Sequence, residues 1–169
     1  MNSAVPNVNI YLKKSANGFP VDNDREFFVG IFVKRDWNLV DDGKHLDWDS
    51  DTKYISSVQS GVNLWEGHRS GVIRPDSIFV VEDVFISDYY EVSTTMGYTS
   101  SNGTIKFNDY HFEDMTFAQQ IKTATHELGH ALGLDYTTGT NDIMKQGKLS
   151  ITSLSSTDKS SYDEAYNNY

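Results

Sequence analysis

His126-Glu127-Leu128-Gly129-His130-Ala131-Leu132-Gly133-Leu134-Asp135-Tyr136, followed by Ile143-Met144, is the stretch that decides how this chain reads. Positions four apart lie on one face of a helix, so His126 and His130 can address a single cation. Glu127 stands beside them, where a carboxylate could take a proton from water held at that cation. Two neutral imidazoles next to a carboxylate base is the arrangement of a zinc hydrolase. The five-residue pattern alone is short enough to arise by chance, so the residues around it carry part of the weight.

Those residues agree. Gly133 falls where a helix ends in the left-handed conformation, which glycine adopts at little cost. The run HELGHALGLD with a later Ile-Met resembles the metzincin metallopeptidases, whose extended pattern continues to a third histidine and a methionine turn, and looks most like their matrixin branch. By that resemblance Met144 is the turn beneath the metal, Zn2+ the cofactor, His126 and His130 two of its ligands, and Glu127 the general base.

One position departs. Where the family places its third histidine, this chain has Tyr136. A phenol ordinarily ionises near pH ~10, but a coordinated divalent cation lowers that value, so Tyr136 could bind as a phenolate. Asp135, one residue early, Asp142, within Gly139-Thr140-Asn141-Asp142, and water are the other candidates for the third ligand. A class that uses a downstream glutamate would have only Glu164, and would leave Gly133 and Met144 without a purpose. An anionic phenolate makes the metal less electrophilic than a neutral imidazole does, so weaker catalysis than in a three-histidine relative is expected.

The whole chain sets bounds. Its 169 residues suit a single catalytic domain, residues 1–169, large enough to bury a core. The net charge of -10 disfavours nucleic acid and anionic membrane, which need clustered Lys and Arg. It suits a soluble monomer and would attract cationic peptides over neutral ones. Cysteine is absent, which excludes disulfides and thiolate zinc sites. No apolar run approaches the ~18 residues of a membrane helix. MNSAVPNVNI carries no signal-peptide pattern; secretion is what the resemblance implies.

Along the chain, Val8, Ile10 and Leu12 alternate with polar residues as a strand does, and residues 27–33 form an apolar run of strand length. Residues 36–49 read as a polar loop, whose acidic groups at 41–42 and 47–51 are expected to be solvated rather than to hold calcium. A helix is expected over residues 50–68, capped by Ser50 or Asp51, with Ile55, Val58, Val62 and Trp65 as its buried stripe. A strand runs from Ile78 to Ile86, and residues 89–98, a strand or extended loop, form a hairpin with 103–107 about Ser100-Ser101-Asn102-Gly103. The motif helix spans 116–132, with Phe117, Ile121, Leu128 and Leu132 on its core face. Leu154-Ser155-Ser156-Thr157-Asp158 opens a last helix through a capping box, burying Tyr162, Ala165, Tyr166 and Tyr169.

The expected fold is therefore α+β, close to α/β: a twisted, mostly parallel five-stranded sheet with one antiparallel edge strand, and three helices. The matrixin resemblance is carried by residues 119–144 and extends more loosely over 78–112 and 154–166. It implies a zinc endopeptidase whose peptide or protein substrate lies along residues 94–98. Lys106 stands about where animal matrixins carry a structural-zinc histidine, so a second zinc is not expected. His45, His68 and His111 lack ligand spacing and are assigned surface or capping roles. The rival expectation is a protein of the same fold that binds peptides or partners without hydrolysis.

Overall fold

Leu46, Asp47 and Trp48 are all buried, and with Asp49 and Ser50 they form strand β1 (Leu46–Ser50). In this computed structural model, which describes residues 34–77 and 81–169, β1 is followed by α1 (Ile55–Glu66), β2 (Ile73–Pro75), β3 (Val84–Tyr89), β4 (Gly97–Ser100) and β5 (Thr104–Asn108). A single helical turn α2 (Asp109–Phe112) precedes α3 (Phe117–Ala131), and α4 (Ser156–Tyr166) comes last. The sheet order is β2-β1-β3-β5-β4. Every neighbouring pair is parallel except β4 with β5, which is antiparallel at the edge. This is the expected α+β sheet of five strands with three longer helices.

Several boundaries differ from the sequence reading. Residues 36–49 are not all loop, because β1 begins at Leu46. Its acidic residue Asp47 is not solvated: Arg74 of β2 grips it with two hydrogen bonds of 2.9 and 2.7 Å, which removes the cost of burying a lone charge. The first helix starts at Ile55, and neither Ser50 nor Asp51 caps it. Ser50 belongs to β1, and Asp51 donates its amide to the Ile86 carbonyl. Ile55, in the first turn, is exposed; the buried face runs through Val58, Gly61, Val62 and Trp65.

The strand expected over 78–86 is confined to Val84–Tyr89, and Val81 is exposed. Asp83 exchanges backbone and carboxylate bonds with Asp47, which fixes where β3 begins. Residues 78–80 and the strands expected at 8–12 and 27–33 lie outside the described residues. The hairpin exists, but its first strand is the short β4, and residues 90–96 are irregular. Gly103 turns it at φ +84, where a Cβ would lie 2.6 Å from the Asp83 carbonyl oxygen.

Helix α3 is opened by a capping box between Thr116 and Gln119. Phe117, outside the core, is exposed and Ile121 half-buried; Ala124, Leu128, Ala131 and Leu132 make the buried face. That face packs on α1 at close range, where Gly61 lies against the Thr125 backbone and Trp65 donates its indole N–H to the Thr125 carbonyl at 2.9 Å. The core lies between these two helices and the sheet, with Leu46, Val84, Ile86, Ile105 and Phe107 from the strands. Tyr162 and Ala165 of α4 are buried against it, while Tyr166 and Tyr169 are partly so.

The Gly61 contact gives a sign-reversal test. Replacing glycine by alanine inside a helix ordinarily stabilises by about 1 kcal/mol. At position 61 the added carbon would sit 3.0 Å from the Thr125 amide nitrogen, so Gly61→Ala is expected to destabilise by about 1–2 kcal/mol through overpacking, read as a lower urea midpoint.

Candidate metal and active site

The end of α3 makes the site. Gly133 has φ +86, the Leu134 amide donates to the Gly129 carbonyl at 2.9 Å, and the Gly133 amide donates to the His130 carbonyl at 3.0 Å. These paired bonds are a Schellman turn, which a left-handed glycine permits. The turn brings the Leu134 carbonyl back to His130, whose Nδ1 lies 2.8 Å away. His126 is held likewise, with its Nδ1 2.8 Å from the Ile143 carbonyl. A carbonyl can only accept, so each Nδ1 carries the proton and each neutral ring is left with a bare Nε2.

Both rings are neutral. Burial holds the His126 imidazole well below its ordinary value, helped by the neighbouring His130 and Lys122. Burial, with the Arg35 guanidinium, lowers His130 to about 3. The Nε2 of His130 is buried with no hydrogen-bond partner among the described residues. An unprotonated, unpartnered imidazole nitrogen beside a second one is a donor set suited to a divalent metal of the zinc type.

Tyr136 lies over this pair. Its ring stacks on His126 with centroids 5.6 Å apart and meets His130 edge-on at 4.8 Å. The three side chains expected as ligands are thus brought together. Asp135 is engaged elsewhere. Asp135 accepts the Tyr136 amide at 2.8 Å and faces Arg35 at 3.9 Å. The Asp142 carboxylate lies against Gly139 in its own turn.

Glu127 faces the sheet edge. The Thr99 hydroxyl of β4 lies 2.8 Å from Glu127 Oε2 and 2.9 Å from the Glu127 carbonyl, and its one proton serves either. Burial pushes the Glu127 carboxyl up to about 7 against the opposing pull of Thr99. A cavity of about 390 Å³ opens here, bounded by Thr94, Met96, Lys122, Glu127, Tyr136 and Gln146 among others.

The support beneath is built from parts far apart in sequence. Met144 is fully buried under the motif helix: a Cβ on Gly129 would come within 2.4 Å of its sulfur and 3.0 Å of Trp65. The buried carboxylate of Asp158 accepts the Ile143 and Met144 amides at 2.9 and 3.2 Å while also capping α4. Sequence reading found Asp158 only as a cap. It missed Thr99, Lys122 and Asn108. Asn108 is buried and donates to the Glu91 and Thr95 carbonyls, shaping the irregular segment along the cavity. An asparagine just ahead of a helical turn was the one available signal for it.

His111 reaches the Ser93 carbonyl at 2.7 Å and His68 the Asp163 carboxylate at 2.9 Å, so both act as local ties. The remaining carboxylate cluster, Asp41, Asp47 and Asp83, already has Arg74 on Asp47.

The Glu127 shift has a definite sign. In metal-free protein the folded chain keeps this proton up to about pH 7, whereas its ordinary value is 4.5. Folding therefore loses stability as pH rises through that window. Glu127→Gln should be increasingly more stable than the parent from pH 5 to pH 8, by at most about 3 kcal/mol. Urea titrations in chelator at the two pH values check this; a constant difference would mean that Glu127 is not desolvated. Comparison with protein-family models and with curated proteins gave no match, so the chemistry rests on this geometry.

Proposed function

We propose that this chain is a zinc-dependent endopeptidase of matrixin-like metzincin type, with His126, His130 and Tyr136 as metal ligands and Glu127 as general base. The observation that carries the reading is the pair of buried, neutral imidazoles, each fixed at Nδ1 by a backbone carbonyl, with the Tyr136 ring against both. Zinc bound there would supply Lewis acidity and water that ionises near neutral pH.

The chain's own residues would do the rest. Glu127, held towards β4 by Thr99 and poised near pH 7, can take a proton from water and return it to a leaving amine. Among the described residues β4 pairs with β5 alone. Its other edge can extend the sheet with a peptide in strand conformation, and residues 94–97 line the cavity beside it. Among the described residues no helix is long and apolar enough to cross a membrane, in keeping with an exported peptidase acting on soluble or surface-bound peptides.

The replacement of the family's third histidine by Tyr136 favours one competing reading, a protein of this fold that holds peptides without cleaving them. Zinc content together with a Glu127→Ala comparison separates the two. A catalyst binds about one zinc per chain and loses roughly 10²–10⁴-fold in turnover of a generic protein substrate in the variant. A pure binder shows no turnover in either form.

Tyr136→His is expected to raise both zinc affinity, measured against a competing chelator, and peptide hydrolysis, because a neutral imidazole leaves the metal more electrophilic. A fall in both would show that Tyr136 does not occupy the third-ligand place.

A further inference from the structure

One buried charge lining the cavity makes no hydrogen bond or ion pair with the imidazole pair or with Glu127. Lys122 lies one helical turn before His126 on α3, is only 2% exposed, and lines the cavity. Its ammonium donates to the Lys145 carbonyl, a neutral acceptor. Among the described residues no carboxylate lies within ion-pair distance of it. An ammonium carries three donors, and burying it without an anion is unfavourable. Burial pulls it down to about 8, with Glu127 and Asp158 opposing from longer range, so it remains mostly charged near neutral pH. A helix core satisfied by packing alone has no use for such a group.

We propose that Lys122 is a specificity residue: the cavity receives an aspartate or glutamate side chain of the peptide next to the cleaved bond, and its carboxylate binds the Lys122 ammonium. This rests on the peptidase reading above. The location fits, because the same cavity is lined by Glu127, His126, the 94–97 segment, Gln146 and Gly147. A side chain held there shares the cavity with both the reacting groups and the lysine. The overall charge of -10 works against acidic peptides at long range. The preference is therefore a contact effect of this one cation, not a product of the general field.

The test uses amidated peptide pairs that differ only by Glu or Gln beside the scissile bond, so no terminal carboxylate competes. With zinc-loaded protein the Glu peptide should be favoured roughly tenfold or more in kcat/KM, the scale of one charge-assisted bond. Lys122→Met should bring the ratio near one, and Lys122→Arg should retain it. A parent ratio near one overturns the proposal, as does an unchanged ratio in Lys122→Met. Equal slowing of both peptides in that variant, which a mere tether to Lys145 would give, overturns it too. If Lys122→Met does not fold, Lys122→Gln and the parent ratio decide in the same way. Fluorescence anisotropy of the labelled pair on Glu127→Gln protein, with and without the Lys122 substitution, reads the preference without turnover. Tighter binding of the Glu peptide that depends on Lys122, where the zinc-loaded parent cleaves neither peptide, sinks the peptidase reading and keeps Lys122 as the carboxylate-binding residue of the cavity. Equal binding of the two sinks this one.

Discussion

The buried carboxylate of Asp158 is the constraint on which the rest of the site depends. It accepts three backbone amides, those of Ser155, Ile143 and Met144. The first starts α4; the other two fix the turn beneath α3. Bonds from an ionised acceptor to N–H groups are stronger than neutral ones, and removing the acceptor would leave buried amides unsatisfied. From that anchor the order passes outward. The Ile143 carbonyl, held in place, sets the tautomer and direction of His126. The Met144 side chain, held beside it, fills the space left by the missing side chain of Gly129. Three segments separated in sequence thereby act as one support.

The legibility of the sequence follows the range of these interactions. Elements closed by neighbours were readable: the start of α3 near Thr116, the left-handed Gly133, the Gly103 turn and the Ser155–Asp158 box each involve residues a few positions apart. So were β3, from its apolar residues, and the hairpin of β4 and β5, from its turn. What stayed hidden needs a distant partner. Asp47 makes β1 look like loop until Arg74 neutralises it across the sheet. Ile55 and Phe117 carry the right periodicity but sit in first turns that extend past the core.

The supporting groups of the site were hidden for a different reason. His126 and His130 are both oriented by main-chain carbonyls, of Ile143 and Leu134. A carbonyl has no residue identity, so no pattern of side chains can announce it. The motif shows which atoms could bind a cation, and only the fold shows that their rings are turned to do so. The burial of Lys122 belongs to the same category, since it depends on a wall contributed by residues 145–147.

Helix α3 buries Lys122, His126, Glu127 and His130 together, and this arrangement weighs against folding. Two imidazoles are denied protons, a carboxyl is held back from ionising, and an ammonium lacks an anion. Each of these perturbations is unfavourable for the metal-free chain, and each is useful to a hydrolytic site. Neutral rings need not lose a proton before coordinating. A carboxyl poised near 7 exchanges protons at neutral pH. The compensation is visible in what surrounds the helix: Trp65, Met144 and Leu128 are packed without exposure, and Asp158 ties the turn below. A cation that binds only the folded form would add to that side of the balance in proportion to the logarithm of its concentration. The desolvation that would make the proposed site reactive is thus the same one that the core beneath it must outweigh.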